Sequence, residues 1–119
     1  MGTFRVRAQI FNLQDEKRTL EVEMVVDAGA TIPVIRRTIA DELGIQEAER
    51  RTFTLADGRE ISRGIGWAGF AYDGRRAPSL VTLGEEEDVS LLGAVALEGL
   101  GLEADPVSRT LRPAPQYLL

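Results

Sequence analysis

Hydrophobic and polar residues alternate in two stretches near the N-terminus, which is the period of a half-buried β-strand. In residues 3–11 every second side chain is apolar: Phe4, Val6, Ala8 and Ile10. Residues 19–26 alternate again, through Leu20, Val22, Met24 and Val26. Because the residues between the two stretches are mostly polar, we expect them to turn the chain. The pattern therefore predicts a β-hairpin whose second strand ends at Asp27.

The stretch 32–45 changes to a helical period. Pro33 suits the first turn of a helix, and Gly44 is a plausible C-terminal cap. Three apolar residues recur at helical spacing between them: Ile35, Ile39 and Leu43. We expect a short helix from Pro33 that packs this apolar stripe on the sheet.

From residue 51 to residue 83 the pattern is β again. Asp57-Gly58 and Asp73-Gly74 each lie between two extended stretches, and both are strong hairpin-turn dipeptides. Residues 89–92 then predict a buried strand, which Gly93 and a short helix follow. The chain closes with a strand-like stretch and a proline-interrupted tail at 113–119.

These elements predict a mostly β chain with seven or eight short strands and two short helices. Such a chain is typical of a small closed β-barrel or a sandwich. Its 119 residues are enough for one hydrophobic core but not for two. We therefore expect a single domain over residues 1–119.

Two residue types are missing, and their absence narrows the possible chemistry. The sequence contains no cysteine and no histidine. This excludes disulfides, thiol nucleophiles, the Ser-His-Asp triad, and zinc sites built from Cys or His. The acidic run 84–88 predicts a solvated loop, because consecutive acids in a flexible loop do not form a cation cage. We expect no metal and no cofactor, and an enzyme of this composition would rely on carboxylates.

The charge balance argues against two classes of partner. The net charge is −5, from 19 acidic and 14 basic residues, with no basic stripe for nucleic acid. No apolar run approaches the roughly 18 residues that span a bilayer. The N-terminal residues lack the layout of a signal peptide. We therefore expect a cytoplasmic protein that binds neither nucleic acid nor membrane.

Asp27 is the candidate for chemistry. It lies between the apolar pair Val25-Val26 and a turn of small residues, where we expect it to be buried. An acid is rarely buried in such a place unless another group pairs with it or the protein uses it. A plainer alternative is a turn at the end of a strand, since Asp and Gly are ordinary turn residues. The spacing alone leaves both interpretations open.

Two motifs and one hairpin together resemble a known family. The first motif is two apolar residues, an acid and three small residues: Val25, Val26, Asp27, Ala28, Gly29 and Ala30. The second motif precedes the late helix and is an apolar-apolar-glycine triplet: Leu91, Leu92 and Gly93. The predicted hairpin 54–66 lies between them, and residues 97–113 resemble the end of the family's cellular and microbial members. The combination, over about residues 4–113, resembles the retropepsin-like (clan AA) aspartic proteases.

This resemblance implies a retropepsin-type β-barrel with one lobe per chain, and a homodimer that cleaves peptides or proteins. Asp27 would be catalytic, because the chemistry needs two carboxylates that share a proton and each chain supplies one. The active-site loop would comprise Ala28, Gly29 and Ala30. Support for this loop would come from Leu91, Leu92 and Gly93. The hairpin 54–66 would be a flap whose tip contacts substrate through Ala56, Asp57, Gly58 and Arg59.

Ala28 departs from the family pattern. The family has Thr or Ser here, and the hydroxyl group bonds across the dimer axis to the partner's loop. Alanine cannot form this bond, so the dimer would be looser. A catalytically weak or inactive module that binds peptides or only dimerises is therefore an alternative to the peptidase. A purely structural β-domain is a third possibility, in which Asp27 needs no chemical role.

Overall fold

The computed structural model describes residues 3–118, which form nine strands and two helices. The strands are β1 (Phe4–Asn12), β2 (Asp15–Val26), β3 (Val34–Arg36), β4 (Glu49–Thr54), β5 (Glu60–Tyr72), β6 (Arg75–Gly84), β7 (Leu91–Leu92), β8 (Leu102–Asp105) and β9 (Thr110–Pro113). The helices are α1 (Arg37–Leu43) and α2 (Ala94–Leu100). Met1, Gly2 and Leu119 belong to the expected domain 1–119, and Leu119 also to the tail 113–119, but these three residues lie outside the described part.

Seven strands form one sheet in the order β1-β2-β7-β3-β6-β5-β4, and β1 also pairs with β5. This last pairing returns the sheet to its first strand, so six strands form a closed circuit and β4 extends from β5. The strands β8 and β9 form a separate two-stranded sheet. The prediction of a mostly β chain built around a small barrel is confirmed. No helix within residues 3–118 has the length and apolar character to cross a membrane.

The first hairpin has the predicted alternation but longer strands. Phe4, Ala8 and Ile10 are buried on one face of β1, and Met24 and Val26 are buried on β2. The turn predicted over the polar residues 12–18 is wrong in length, because only residues 13 and 14 lie between the strands. Polar side chains are compatible with a strand whose side chains are exposed, as they are at residues 15–19.

The predicted helix begins four residues late. Residues 34–36 form β3 instead, because they pair in parallel with residues 82–84 of β6. This pairing places the β-branched Val34 and Ile35 in a strand, which suits them better than a first helical turn. Gly44 does end α1, with φ 75°, as predicted. Packing of the apolar stripe is also confirmed, since Ile35 and Leu43 are fully buried and Ile39 packs against the core.

Two further predictions hold only in part. The strand predicted over 89–92 is shorter, since only Leu91 and Leu92 belong to β7, and Val89 is 48% exposed. The acidic loop is solvated at residues 85–87 as predicted, but Gly84 is buried in β6 and Asp88 is partly buried. Sequence could not separate these positions, because strand pairing decides which residues of the run are covered.

Candidate active site

Asp27 directly follows β2, in the loop that leads to β3. The short strand β7 lies between these two strands, parallel to β2 and antiparallel to β3. The N–H of Val25 donates to the carbonyl of Ser90 at 2.9 Å, and the N–H of Asp27 donates to that of Leu92 at 3.2 Å. The end of β2 is therefore held against β7 up to and including Asp27 itself.

The loop turns tightly around the Asp27 carboxylate. The N–H of Gly29 donates to Asp27 Oδ1 at 2.9 Å, and the N–H of Ala30 donates to the Asp27 carbonyl at 3.1 Å. A Cβ atom at Gly29 would lie 3.1 Å from the same Oδ1, so glycine fits this approach best. Ala28 and Gly29 are exposed and Asp27 is half-buried, so the expectation of a buried acid is wrong for the single chain. The turn that follows Asp27 is therefore exposed to solvent in the single chain.

Gly93 packs directly beneath this loop. A Cβ atom there would lie 2.7 Å from the Ala30 carbonyl oxygen and 3.1 Å from the backbone of Ile32. Backbone atoms cannot move aside as a flexible side chain can, so a larger residue would displace the loop. The first residue of α2, Ala94, donates its N–H to the Ala30 carbonyl at 2.7 Å. The triplet predicted to lie near Asp27, residues 91–93, is thus in backbone contact with its loop.

A groove of about 470 Å³ opens beside the loop, between it and the β4–β5 hairpin. One wall comes from the loop, β3 and β7, and the other from the hairpin. Its apolar lining consists of Ala30, Ile32, Val34, Phe53, Leu55, Ile61, Val89 and Leu91. Of the predicted site residues, Ala30 and Leu91 line the groove. The others of this apolar set were missed, because they come together only through strand pairing.

The tip of the β4–β5 hairpin bonds to itself. The N–H of Leu55 donates to the Arg59 carbonyl at 2.7 Å, and Asp57 accepts from both the backbone N–H and the guanidinium of Arg59. The backbone bond, followed by the guanidinium bond, lowers the pKa of Asp57. Residues 56–59 are all exposed, and only Thr54 and Leu55 of this end of the hairpin line the groove. The tip residues predicted to contact substrate therefore lie outside the groove in the single chain.

An ion pair that the sequence did not predict also lines the groove. Arg63 on β5 donates through Nε to Asp88 Oδ2 at 3.1 Å. Burial raises the pKa of Asp88, but the hydrogen bonds from the Glu85 N–H and from Arg63 outweigh it, so that the pKa is lowered overall. The two residues are 25 positions apart, so no local pattern reveals this pair. Within residues 3–118, no group of three or more acidic side chains is placed to hold a metal ion.

Comparison with known proteins supports the fold. No protein-family model matches the sequence, and a comparison with curated proteins gives no match. Among solved structures, simian foamy virus (mac) protease is similar with a TM-score of 0.55 and 17% identity, over 79% of this chain and 91% of that one. A retropepsin-like aspartic protease from Rickettsia conorii has a TM-score of 0.48 and 20% identity, over 87% and 85%. The chain has a retropepsin-like fold.

Proposed function

We propose that this protein is an aspartic endopeptidase that acts as a homodimer. One observation carries the proposal: the Asp27 loop is fixed from below by β7 and Gly93, and it borders an apolar groove. Asp27 thus lies on a firmly held backbone, three residues before the groove-lining Ala30, and such a placement suits a general acid or base. The retropepsin-like fold supports the same conclusion.

The chemistry requires a second copy of Asp27. Two carboxylates about 3 Å apart cannot both ionise, so a pair would hold one proton between them. The ionised member would activate a water molecule for attack on the scissile carbonyl, and the protonated member would donate to the developing oxyanion. Each chain supplies one such loop, so a two-fold dimer is the arrangement that pairs the acids. The exposed Ala28 and Gly29 leave the loop open to a partner.

The substrate would be an extended peptide. Its side chains would enter the apolar groove, while the β4–β5 hairpin closes over its backbone as a flap. In this role the tip residues, including Asp57 and Gly58, move toward the peptide from their exposed position. Because their hydrogen bonds stay within the tip, residues 55–59 can move toward the peptide as one unit.

The test is an activity assay on a denatured protein substrate, with Asp27→Asn beside the parent. The amide keeps the shape of the carboxylate but cannot share a proton, so cleavage should fall at least about a hundredfold. Asp15→Asn serves as a matched control, because Asp15 lies exposed at the β1–β2 turn. Circular dichroism should be the same for all three proteins. Equal cleavage by the Asp27→Asn protein would assign the activity to another site.

Ala28 favours a second candidate, a module that binds peptides without cleaving them. Without a hydroxyl group at this exposed position, two loops would lack a side-chain bond across the axis. Such a module would use the same groove for an extended peptide. Saturable binding of fluorescent peptides by the parent, with no cleavage on prolonged incubation, would favour this candidate over the peptidase.

A further inference from the structure

The lining of the peptide groove is mostly apolar, with the hydroxyl groups of Thr31, Thr54 and Thr82, and its charged residues are Arg63 and Asp88, which face each other. We propose that this part of the groove selects a glutamine side chain, with Arg63 and Asp88 as specificity-determining residues. The inference rests on the proposed function only in taking the groove as a peptide site. Whether the bound peptide is then cleaved is a separate question.

The ion pair uses only part of its hydrogen-bonding capacity. Arg63 donates through Nε to Asp88 Oδ2 and through Nη1 to the Ser62 carbonyl. Within residues 3–118, Arg63 Nη2 makes no hydrogen bond and Asp88 Oδ1 accepts none. The side chains keep 18% and 30% of their surface exposed, and both line the groove. One donor and one acceptor therefore remain for a ligand.

The pair is held in place by its surroundings. Asp88 Oδ2 also accepts the N–H of Glu85 at 2.8 Å, and the Asp88 carbonyl accepts Arg36 Nε at 3.0 Å. These bonds fix the carboxylate from the loop side, while β5 positions Arg63 from the other wall. Burial raises the pKa of Asp88, but the hydrogen bonds outweigh it and lower the pKa overall, which favours the ionised carboxylate. A fixed pair of opposite charges recognises a ligand by geometry and not by net charge.

A primary amide matches this pair better than any charged group does. It carries an N–H donor for Asp88 Oδ1 and a carbonyl acceptor for Arg63 Nη2 in one planar unit. A glutamate side chain can accept a hydrogen bond from Arg63 but is repelled by Asp88. A lysine side chain can donate to Asp88 but is repelled by Arg63. A leucine side chain would cover the ion pair and leave Arg63 Nη2 and Asp88 Oδ1 without water or a hydrogen-bond partner.

The apolar walls favour glutamine over a shorter amide. Val34, Ile61 and Leu91 line the same groove and can pack against the methylene groups of the glutamine side chain. Asparagine has one methylene fewer, so its amide would not reach as far along the walls. Methionine has a similar length and an apolar tip, which makes it the matched comparison for the amide alone.

The experiment measures peptide binding and cleavage separately. Position-scanning peptide libraries are bound to the Asp27→Asn protein, which reports binding without catalysis, and the same libraries are digested with the parent. At one peptide position we expect glutamine to be preferred over methionine, leucine and glutamate by roughly tenfold. Arg63→Met should reduce this preference to less than about twofold. Arg7→Met, which breaks an exposed pair with Glu21, is the control and should keep the preference.

A second variant decides the question if Arg63→Met does not fold. Arg63→Lys can still pair with Asp88 but lacks the second fork of the guanidinium, so glutamine should lose most of its advantage. A library without amide preference at any position overturns the inference, as does a preference that survives in both Arg63 variants. Amide-selective binding without cleavage by the parent would refute the peptidase and leave this inference standing. Absence of all peptide binding would refute both.

Discussion

The Asp27 loop and the tip of the β4–β5 hairpin are both turns of small and polar residues, yet they are held very differently. Backbone bonds tie the loop to other elements, from Asp27 to Leu92 and from Ala94 to Ala30. Within residues 3–118, the hairpin tip 55–59 has hydrogen bonds only among its own residues. We therefore expect the backbone at Asp27 to stay fixed and the tip across the groove to be the more mobile of the two.

This difference has a physical basis in what each segment buries. The loop rests on Gly93, which is buried, and on residues of the core such as Leu92. The tip 55–59 has no buried residue, and among the residues that the structure describes β4 pairs with β5 alone. Segments with few buried contacts open at low free-energy cost, whereas reacting groups must be held within a few tenths of an ångström. A groove that admits and holds a peptide needs a mobile segment on one wall and a fixed group on the other.

The largest expected difference in stability is between two glycine substitutions, one beneath the Asp27 loop and one in the hairpin tip. Gly93→Ala places a methyl group against the Ala30 carbonyl, which is backbone and cannot easily move, so the free energy of unfolding should fall by about 2–3 kcal/mol and activity should fall with it. Gly58→Ala meets no neighbouring atom and carries only the strain of φ 88°, which costs about 1 kcal/mol. Urea unfolding midpoints measure both effects. Equal losses in the two variants would contradict the assignment of Gly93 as the loop's support.

Ala28→Thr should stabilise the contact between the Asp27 loops of two chains. If two loops meet at a dimer axis, each restored hydroxyl contributes a bond worth roughly 0.5–1.5 kcal/mol, and a dimer has two. Association should become several-fold to about a hundredfold tighter. Turnover by the formed dimer should change less, since the hydroxyl transfers no proton. Sedimentation across dilution gives the dissociation constant, with Ala28→Val as the control for size. Equal gains in both variants would attribute the effect to packing.

Much of the fold follows from local patterns, and the errors have a common cause. Alternation located β1 and β2, and Gly44 located the end of α1, because side-chain period and left-handed geometry are local properties. The start of α1 was wrong because residues 34–36 pair with β6, which lies almost 50 residues away. Val89 was wrongly placed in a strand because the pairing of β7 with β2 begins only at Leu91, and the local sequence does not show where this pairing begins. Where partners distant in sequence decide the conformation, propensity alone fails.

The candidate site divides in the same way. The motif around Asp27 and the triplet ending at Gly93 can be recognised in the sequence. The parallel pairing of β2 with β7 brings these two motifs together in the structure. The Arg63–Asp88 pair could not be found, because neither residue has a local signature. The half-buried state of Asp27 was also missed. Its carboxylate lies at the edge of one chain, which a one-dimensional pattern of apolar neighbours does not reveal.

Hydrogen exchange should show the contrast directly. In the free protein we expect amides of the hairpin 54–66 to exchange faster at the tip than amides of the Asp27 loop. Adding a bound peptide should slow exchange in the hairpin more than in the loop, because only the hairpin has to change position. The turn at Asp73-Gly74 is an internal control, since it lies at the other end of β5. Exchange in the hairpin that stays unchanged at saturating peptide would argue against its role as a flap.

The smallest expected effect is a pH dependence confined to the hairpin tip. The pKa of Asp57 is lowered by the N–H and the guanidinium of Arg59, so ionised Asp57 stabilises the folded turn. This stabilisation is complete above the pKa of an unfolded Asp and is lost as the pH falls through the lowered folded pKa. Amides of Gly58 and Arg59 should therefore become less protected at acid pH, relative to their intrinsic rates, while those of Ala30 and Ala94, which donate to backbone carbonyls, do not. In Asp57→Asn the tip should lose this pH response, because an amide does not titrate. A response that persists in the variant would assign it to another carboxylate.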